Sequence, residues 1–195
     1  MGKVGEERAL AAVEASGIPF TVTRHGPVRS LEWSHEEAAA ARGVQPGDIV
    51  KSLVVRRPRV GVPPLAGDYL FVLVPGDRQF SWPKLRALLG VNRLSMPDAA
   101  VAKDVTGYER STFTTFGSTQ AWPVVADATV AGRTVSMGGG AHGVALTVKG
   151  DDVIRVLDAQ VADISDCRRP RASAPARAAP PRRGRRGRTP RRRAG

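Results

Sequence analysis

The sequence has one cysteine, three histidines and only 5% aromatic residues among its 195 positions. One thiol, Cys167, cannot close an internal disulfide, so a reducing compartment is expected. Its place at the edge of the apolar patterning argues against a catalytic thiol. With His25, His35 and His142 as the only histidines, no zinc-like spacing exists, and neither a metal nor a cofactor is expected. GxGxxG and GxxxxGK[ST] are both absent, which disfavours a nucleotide enzyme built on a phosphate cradle. No serine stands in a nucleophile elbow, and no Ser/His/Asp arrangement can be assembled. No window approaches the roughly 18 apolar residues of a membrane span, and MGKVGEERALAAVEAS lacks the apolar core of a secretory signal. Glu6 stands where a myristoylation signal needs Ser or Thr. A cytoplasmic protein without membrane contact is expected.

Acidic residues are missing from one region altogether. After Cys167 there are twelve arginines and no Asp or Glu, so the 30 basic and 18 acidic residues of the chain leave residues 1–167 neutral, with 18 of each, and place the net charge of +12 in residues 168–195. That segment offers almost nothing to bury, while ordering it would cost about 1–2 kcal/mol per residue. The sequence therefore predicts one domain over 1–167 and a disordered Arg/Pro/Ala-rich tail over 168–195. Such a tail attracts RNA phosphates without reading sequence. The plain alternative is the codon bias of a GC-rich genome under weak selection.

Within 1–167 the periodicities alternate between helix and strand. Val4, Leu10 and Val13 keep helical spacing up to a stop at Gly17, and Ile18, Phe20 and Val22 alternate as a strand does. Ser34 with Glu37 forms a capping box for a short alanine-rich helix ending at Gly43. QPGD at 45–48 turns into the strand IVKSLVV at 49–55, and YLFVLV at 69–74 is a second apolar run. Ser81 is placed to cap a helix that stops at Gly90. Residues 97–105 suggest another helix, and 106–117 a loop. Strands are expected at 122–125, 133–137 and 144–148, then a helix capped by Asp151 and a closing segment at 161–164. Strands and helices are interspersed without strict alternation, so the fold class expected is α+β with a mixed, barrel-like sheet.

Two features could carry chemistry. Lys51 shares a strand face with Ile49, Leu53 and Val55, all apolar. Its ammonium either snorkels to solvent from a packed stem or waits in a cleft for a phosphate, hydroxyl or carbonyl oxygen. Gly138, Gly139, Gly140 and Gly143 permit positive φ and close backbone approach, which suits an oxyanion or nucleotide site as well as a plain hairpin. Any catalysis here would rest on positioning and backbone electrostatics rather than a covalent nucleophile.

Taken together, VKSLVV at 50–55, LFVLVPGDRQFSWPKLRALLGVNRLSM at 70–96, TGYERSTFTTFG at 106–117, WPVVADATV at 122–130, GGGAHGVAL at 138–146 and LDAQVADI at 157–164 resemble the YbaK-like family of aminoacyl-tRNA editing domains. That family includes free-standing Cys-tRNA(Pro) and Ala-tRNA(Pro) deacylases and the inserted editing domain of bacterial prolyl-tRNA synthetases. The resemblance implies hydrolysis of the ester that joins a wrongly attached amino acid to the terminal adenosine of tRNA. Water, or the substrate's own thiol in cysteine-specific members, would be the nucleophile, and prolyl-tRNA synthetase a partner. It also implies a catalytic role for Lys51 and a substrate-binding role for Gly107, Tyr108, Ser111, Thr115, Phe116, Gly117, Gly138, Gly139, Gly140, His142 and Gly143. Many relatives carry a GxxxP element where this chain has Ser111 and Thr115, and an acidic residue of cysteine-specific members is replaced by Ala145. The alternative implied by those departures is a catalytically degenerate member that binds tRNA or a synthetase without hydrolysing anything.

Overall fold

The computed structural model describes residues 2–25, 35–57 and 68–167. The 168–195 segment and Ser34 of the predicted capping box lie outside the described residues.

Among the described residues five α-helices form where local chemistry starts and stops them. Helix α1 (Gly2–Ala15) buries Ala9 and Val13, and α2 (His35–Arg42) precedes Gly43. Helix α3 (Trp82–Leu89) ends at Gly90, whose φ of 63° is the left-handed conformation a C-terminal cap needs. Helix α4 (Ala99–Thr106) is opened by Asp98, whose carboxylate accepts the Val101 N–H at 2.9 Å.

Two predicted caps are corrected. Ser81 occupies the N-cap position of α3 but makes no capping bond, because its hydroxyl turns to the Asp166 carboxylate. Asp151 falls inside the first turn of α5 (Gly150–Val156) rather than before it, and its carboxylate accepts the Gly132 N–H at 2.9 Å.

Nine strands are found among the described residues. In one sheet the order is β1 (Phe20–Arg24), β7 (Val144–Lys149), β6 (Thr134–Gly138); in another it is β2 (Val50–Arg56), β3 (Tyr69–Pro75), β5 (Val124–Asp127), β8 (Gln160–Ala162). The β3–β5 and β5–β8 pairings are parallel and the others antiparallel. A parallel bridge from Ile49 to Ser136 joins β2 to β6 and links the two sheets into one mixed surface. Among the described residues no pairing joins β1 to β8. A short antiparallel pair, β4 (Arg78–Phe80) with β9 (Ser165–Cys167), was not anticipated, since three residues are too few to show a period.

Strand β3 is buried along its whole length, as a central strand covered on both faces must be. Its alternating side chains divide the interior in two. Tyr69, Phe71 and Leu73 join Val50, Val54, Met137 and Leu146 on one side, with α1 packed there through Val13. Leu70, Val72 and Val74 join Val55, Leu85 and Ile164 on the other, under α3. Each side chain of this size contributes about 1.5–3 kcal/mol on burial.

Candidate active site

Strand β2 lies at the edge of its sheet, and which of its groups face outward follows from its pairing. The Arg57 N–H donates to the Asp68 carbonyl at 2.5 Å and the Gly76 N–H to the Ile49 carbonyl at 2.6 Å. In an antiparallel ladder bonding alternates, so odd-numbered residues of β2 face β3. The main-chain groups of Ser52 and Val54 therefore point the other way. Arg56 has the same parity, and its N–H donates to the Ser95 carbonyl at 2.8 Å on that outer side.

A cavity of about 650 Å³ runs along this edge. Its walls are Ile49 with β2 from Val50 to Val54, the 96–102 segment that enters α4, the turn with Arg110, Ser111 and Phe113, the end of β6 at Gly138, and Arg42 from the last turn of α2. That volume suits a ligand of drug-like or mononucleotide size. Among the described residues three cations (Arg42, Lys51 and Arg110) and one acid (Asp98) line it, and Asp98 directs its carboxylate to the start of α4. The cavity thus carries an excess of positive charge, which favours an anionic ligand.

Lys51 lies on the α3 face of β2, and its ammonium donates to the Arg78 carbonyl at 2.8 Å. That carbonyl belongs to a residue fixed from below. The Arg78 guanidinium donates to the Ser165 hydroxyl at 2.6 Å and lies 3.8 Å from the buried Asp127 carboxylate. Burial alone would push Asp127 up, but hydrogen bonds from Ser165, Thr129 and the Ile164 N–H outweigh it and hold the carboxyl below its ordinary value. A rigid, ionised anchor therefore sets the peptide that meets Lys51.

The turn at Ser111 has an unusual backbone. The Thr112 N–H donates to the Glu109 carbonyl at 3.0 Å, and Ser111 alone of the central pair has positive φ, at 70°. That is the pattern of a type II turn, whose third position favours glycine. The family resemblance noted a glycine there, and this chain keeps the glycine conformation with a serine.

The other predicted residues divide. Lys51, Ser111 and Gly138 line the large cavity. Gly107, Tyr108, Gly140 and His142 line a smaller one of about 220 Å³ beside α1. There Arg8 stacks over the Tyr108 ring at 4.5 Å, and the Tyr108 hydroxyl donates to the Phe116 carbonyl at 2.6 Å. Burial pushes the Tyr108 phenol up, with Arg8 opposing it. Thr115 and Phe116 are buried and Gly117 half-buried beneath that loop, while Gly139 and Gly143 shape the β6–β7 hairpin; these five line neither cavity.

Sequence reasoning missed Arg42, Ser52 and Arg110. Ser52 was hidden by its place next to Lys51 on the opposite face, and its hydroxyl is enclosed without a hydrogen-bond partner. Arg42 looked like an ordinary cation at a helix C-terminus. Among the described residues no group of His, Cys, Asp and Glu is placed to hold a metal, and no helix is long and apolar enough to cross a membrane.

Comparison with known proteins adds a family and a fold. The aminoacyl-tRNA editing domain model matches residues 32–156. The structure of a protein described as a candidate trans-editing enzyme for prolyl-tRNA synthetase is similar, with a TM-score of 0.69 at 22% identity, over 83% of this chain and 97% of that one. A protein described as hypothetical gives a TM-score of 0.69 at 24% identity, over 82% and 99%. At these identities the structural likeness speaks to the fold.

Proposed function

Because the chain belongs to the aminoacyl-tRNA editing domain family, we propose that it is a trans-editing deacylase that hydrolyses mischarged aminoacyl-tRNA, with Cys- or Ala-tRNA(Pro) as the substrate. The observation that carries this reading is the cavity along the β2 edge, where Lys51, Ser111 and Gly138 meet in an electropositive space of about 650 Å³. An aminoacylated adenosine is of the size such a space holds.

In this mechanism water attacks the ester carbonyl, the bond from the acyl carbon to the ribose oxygen breaks, and the water proton ends on that ribose oxygen. Lys51 is the catalytic residue. Its ammonium leaves or shares the Arg78 carbonyl to meet the negative charge that grows on the ester oxygen, a contribution made mostly in the transition state. Ser111 and Gly138 shape the space for the amino acid, and the outward main-chain groups of Ser52 and Val54 offer donors and acceptors that cost no reorganisation. Of the remaining predicted residues, Gly107, Tyr108, Gly140 and His142 line the smaller cavity beside α1, and Thr115, Phe116, Gly117, Gly139 and Gly143 hold the two loops in shape. Prolyl-tRNA synthetase is the partner proposed to deliver substrate. The arginines of 168–195 add sequence-independent attraction for tRNA phosphates, in a cytoplasmic setting.

Lys51→Ala tests the reading directly. The variant is expected to lose about 10²–10³-fold in kcat for deacylation of Cys- or Ala-charged tRNA(Pro), the usual effect of removing one oxyanion-stabilising donor, with unchanged circular dichroism. Full activity in Lys51→Ala would overturn the mechanism. The left-handed Ser111 supports one other reading, a member that holds the acceptor end without cleaving it.

A further inference from the structure

Arg42 occupies the last position of α2, where a basic residue needs no special account, because cations are favoured near a helix C-terminus. What that position does not account for is where the side chain goes. Arg42 lines the large cavity, and its Nε is enclosed without a hydrogen-bond acceptor. The Nε groups of Arg8 and Arg56 are enclosed without a partner too, but Arg42 alone of the three lines the large cavity, where a ligand can supply the missing acceptor. Burial also pushes the guanidinium below its ordinary value, the direction expected when the charge has lost water and gained no counter-ion.

The other charged groups of the cavity are differently placed. The Lys51 ammonium is held by the Arg78 carbonyl, Asp98 serves the α4 N-terminus, and Arg110 is exposed. A ligand of this cavity must therefore bring an anionic acceptor to Arg42. An aminoacyl ester carries an amino group that cations repel, so the amino acid is not the source. The obligatory anion is the phosphodiester on the 5′ side of the terminal adenosine, present whichever amino acid is attached.

We infer that Arg42 is a substrate-binding residue that receives the phosphate adjoining the terminal adenosine of the tRNA acceptor end. This rests on the editing reading of the same cavity. Arg42 fixes the nucleotide, and the ester carbonyl is thereby left to Lys51. A guanidinium suits this task because its planar fork can meet two phosphate oxygens at once.

Binding of 5′-AMP and of adenosine to the full chain, followed by calorimetry at physiological salt, tests the assignment without any hydrolysis. The wild-type chain is expected to bind AMP about tenfold to a hundredfold more tightly than adenosine, the range of a charge-assisted hydrogen bond. Arg42→Ala should erase that preference while leaving adenosine affinity unchanged, and Lys51→Ala should keep it. An Arg42 variant that retains the AMP preference, a preference that vanishes with Lys51 instead, or a wild-type chain without one would each overturn the assignment. Should Arg42→Ala not fold, Arg42→Gln carries the same test, since it keeps the length of the side chain and removes the charge. The deacylase reading fails separately, if the wild-type chain hydrolyses no mischarged tRNA. The AMP preference does not depend on that result.

Discussion

Two loops each bring a residue to the large cavity, Ser111 from one and Gly138 from the other, and they fill their left-handed positions differently. The 138–143 segment puts glycine at both of its positive-φ positions, Gly140 at 81° and Gly143 at 77°. The 106–117 segment has glycine at Gly107 and Gly117 but serine at Ser111, all three left-handed. At Gly140 glycine is demanded by packing as well as by φ. A Cβ on Gly140 would run into the Gly5 carbonyl and come within 2.9 Å of the Tyr108 ring. In the second loop Gly107 and Gly117 are crowded in the same way, by the Arg8 side chain and the Arg8 carbonyl, whereas Ser111 is exposed and carries only the backbone cost. A glycine conformation can thus outlast the glycine where crowding does not enforce it.

The largest effect expected from breaking this contrast is at Gly140. Gly140→Ala combines a left-handed alanine, about 1–2 kcal/mol, with overpacking of about 1–3 kcal/mol. A loss of about 2–5 kcal/mol in denaturant unfolding is expected, and a loss under about 1 kcal/mol would show that α1 can retreat from the hairpin. Next comes Gly138→Ala, whose Cβ would stand 2.6 Å from the Phe113 carbonyl where the two loops touch. It is expected to cost about 1–3 kcal/mol and to raise KM for deacylation by spreading the walls. An unchanged KM would mean that the two loops move independently of the substrate space.

The smallest and opposite effect belongs to Ser111→Gly. Relief of about 1–2 kcal/mol of left-handed strain is offset by the extra chain entropy of glycine, about 0.5–1 kcal/mol, for a net gain of about 1 kcal/mol or less in thermal unfolding. Combined with Thr115→Pro, the substitution also separates the two functional readings. A silent pocket should acquire deacylase activity, whereas a working one should change which mischarged tRNA it prefers.

Much of this protein was legible locally. The helix stop at Gly90, the strand at 69–74 and the loop at 106–117 follow from periods of 3.6 and 2 and from single glycines, all properties of neighbours in the chain. The caps at Ser81 and Asp151 were misread because a hydroxyl or carboxylate takes the best partner in space, and Asp166 and Gly132 are distant in sequence. The candidate glycines were grouped by sequence motif, yet Gly138, the end of β6, lines one cavity and Gly140, in the loop beyond it, lines another. Arg42 and Ser52 carried no periodic signal, because a single polar residue at a helix end or strand edge looks the same whether it meets water or a ligand.

The amino-acid sequence by itself determined most of the elements, the neutral body and the lysine on an apolar strand face, because these depend on composition and on spacings of a few residues. Only the tertiary structure decided that the free edge of β2, the end of β6, the Ser111 turn and the last residue of α2 enclose one electropositive cavity. Segments that lie tens of residues apart are brought together by burial of their apolar faces. That driving force has no direction along the chain, so the cavity's polar lining is set by packing that no local pattern encodes.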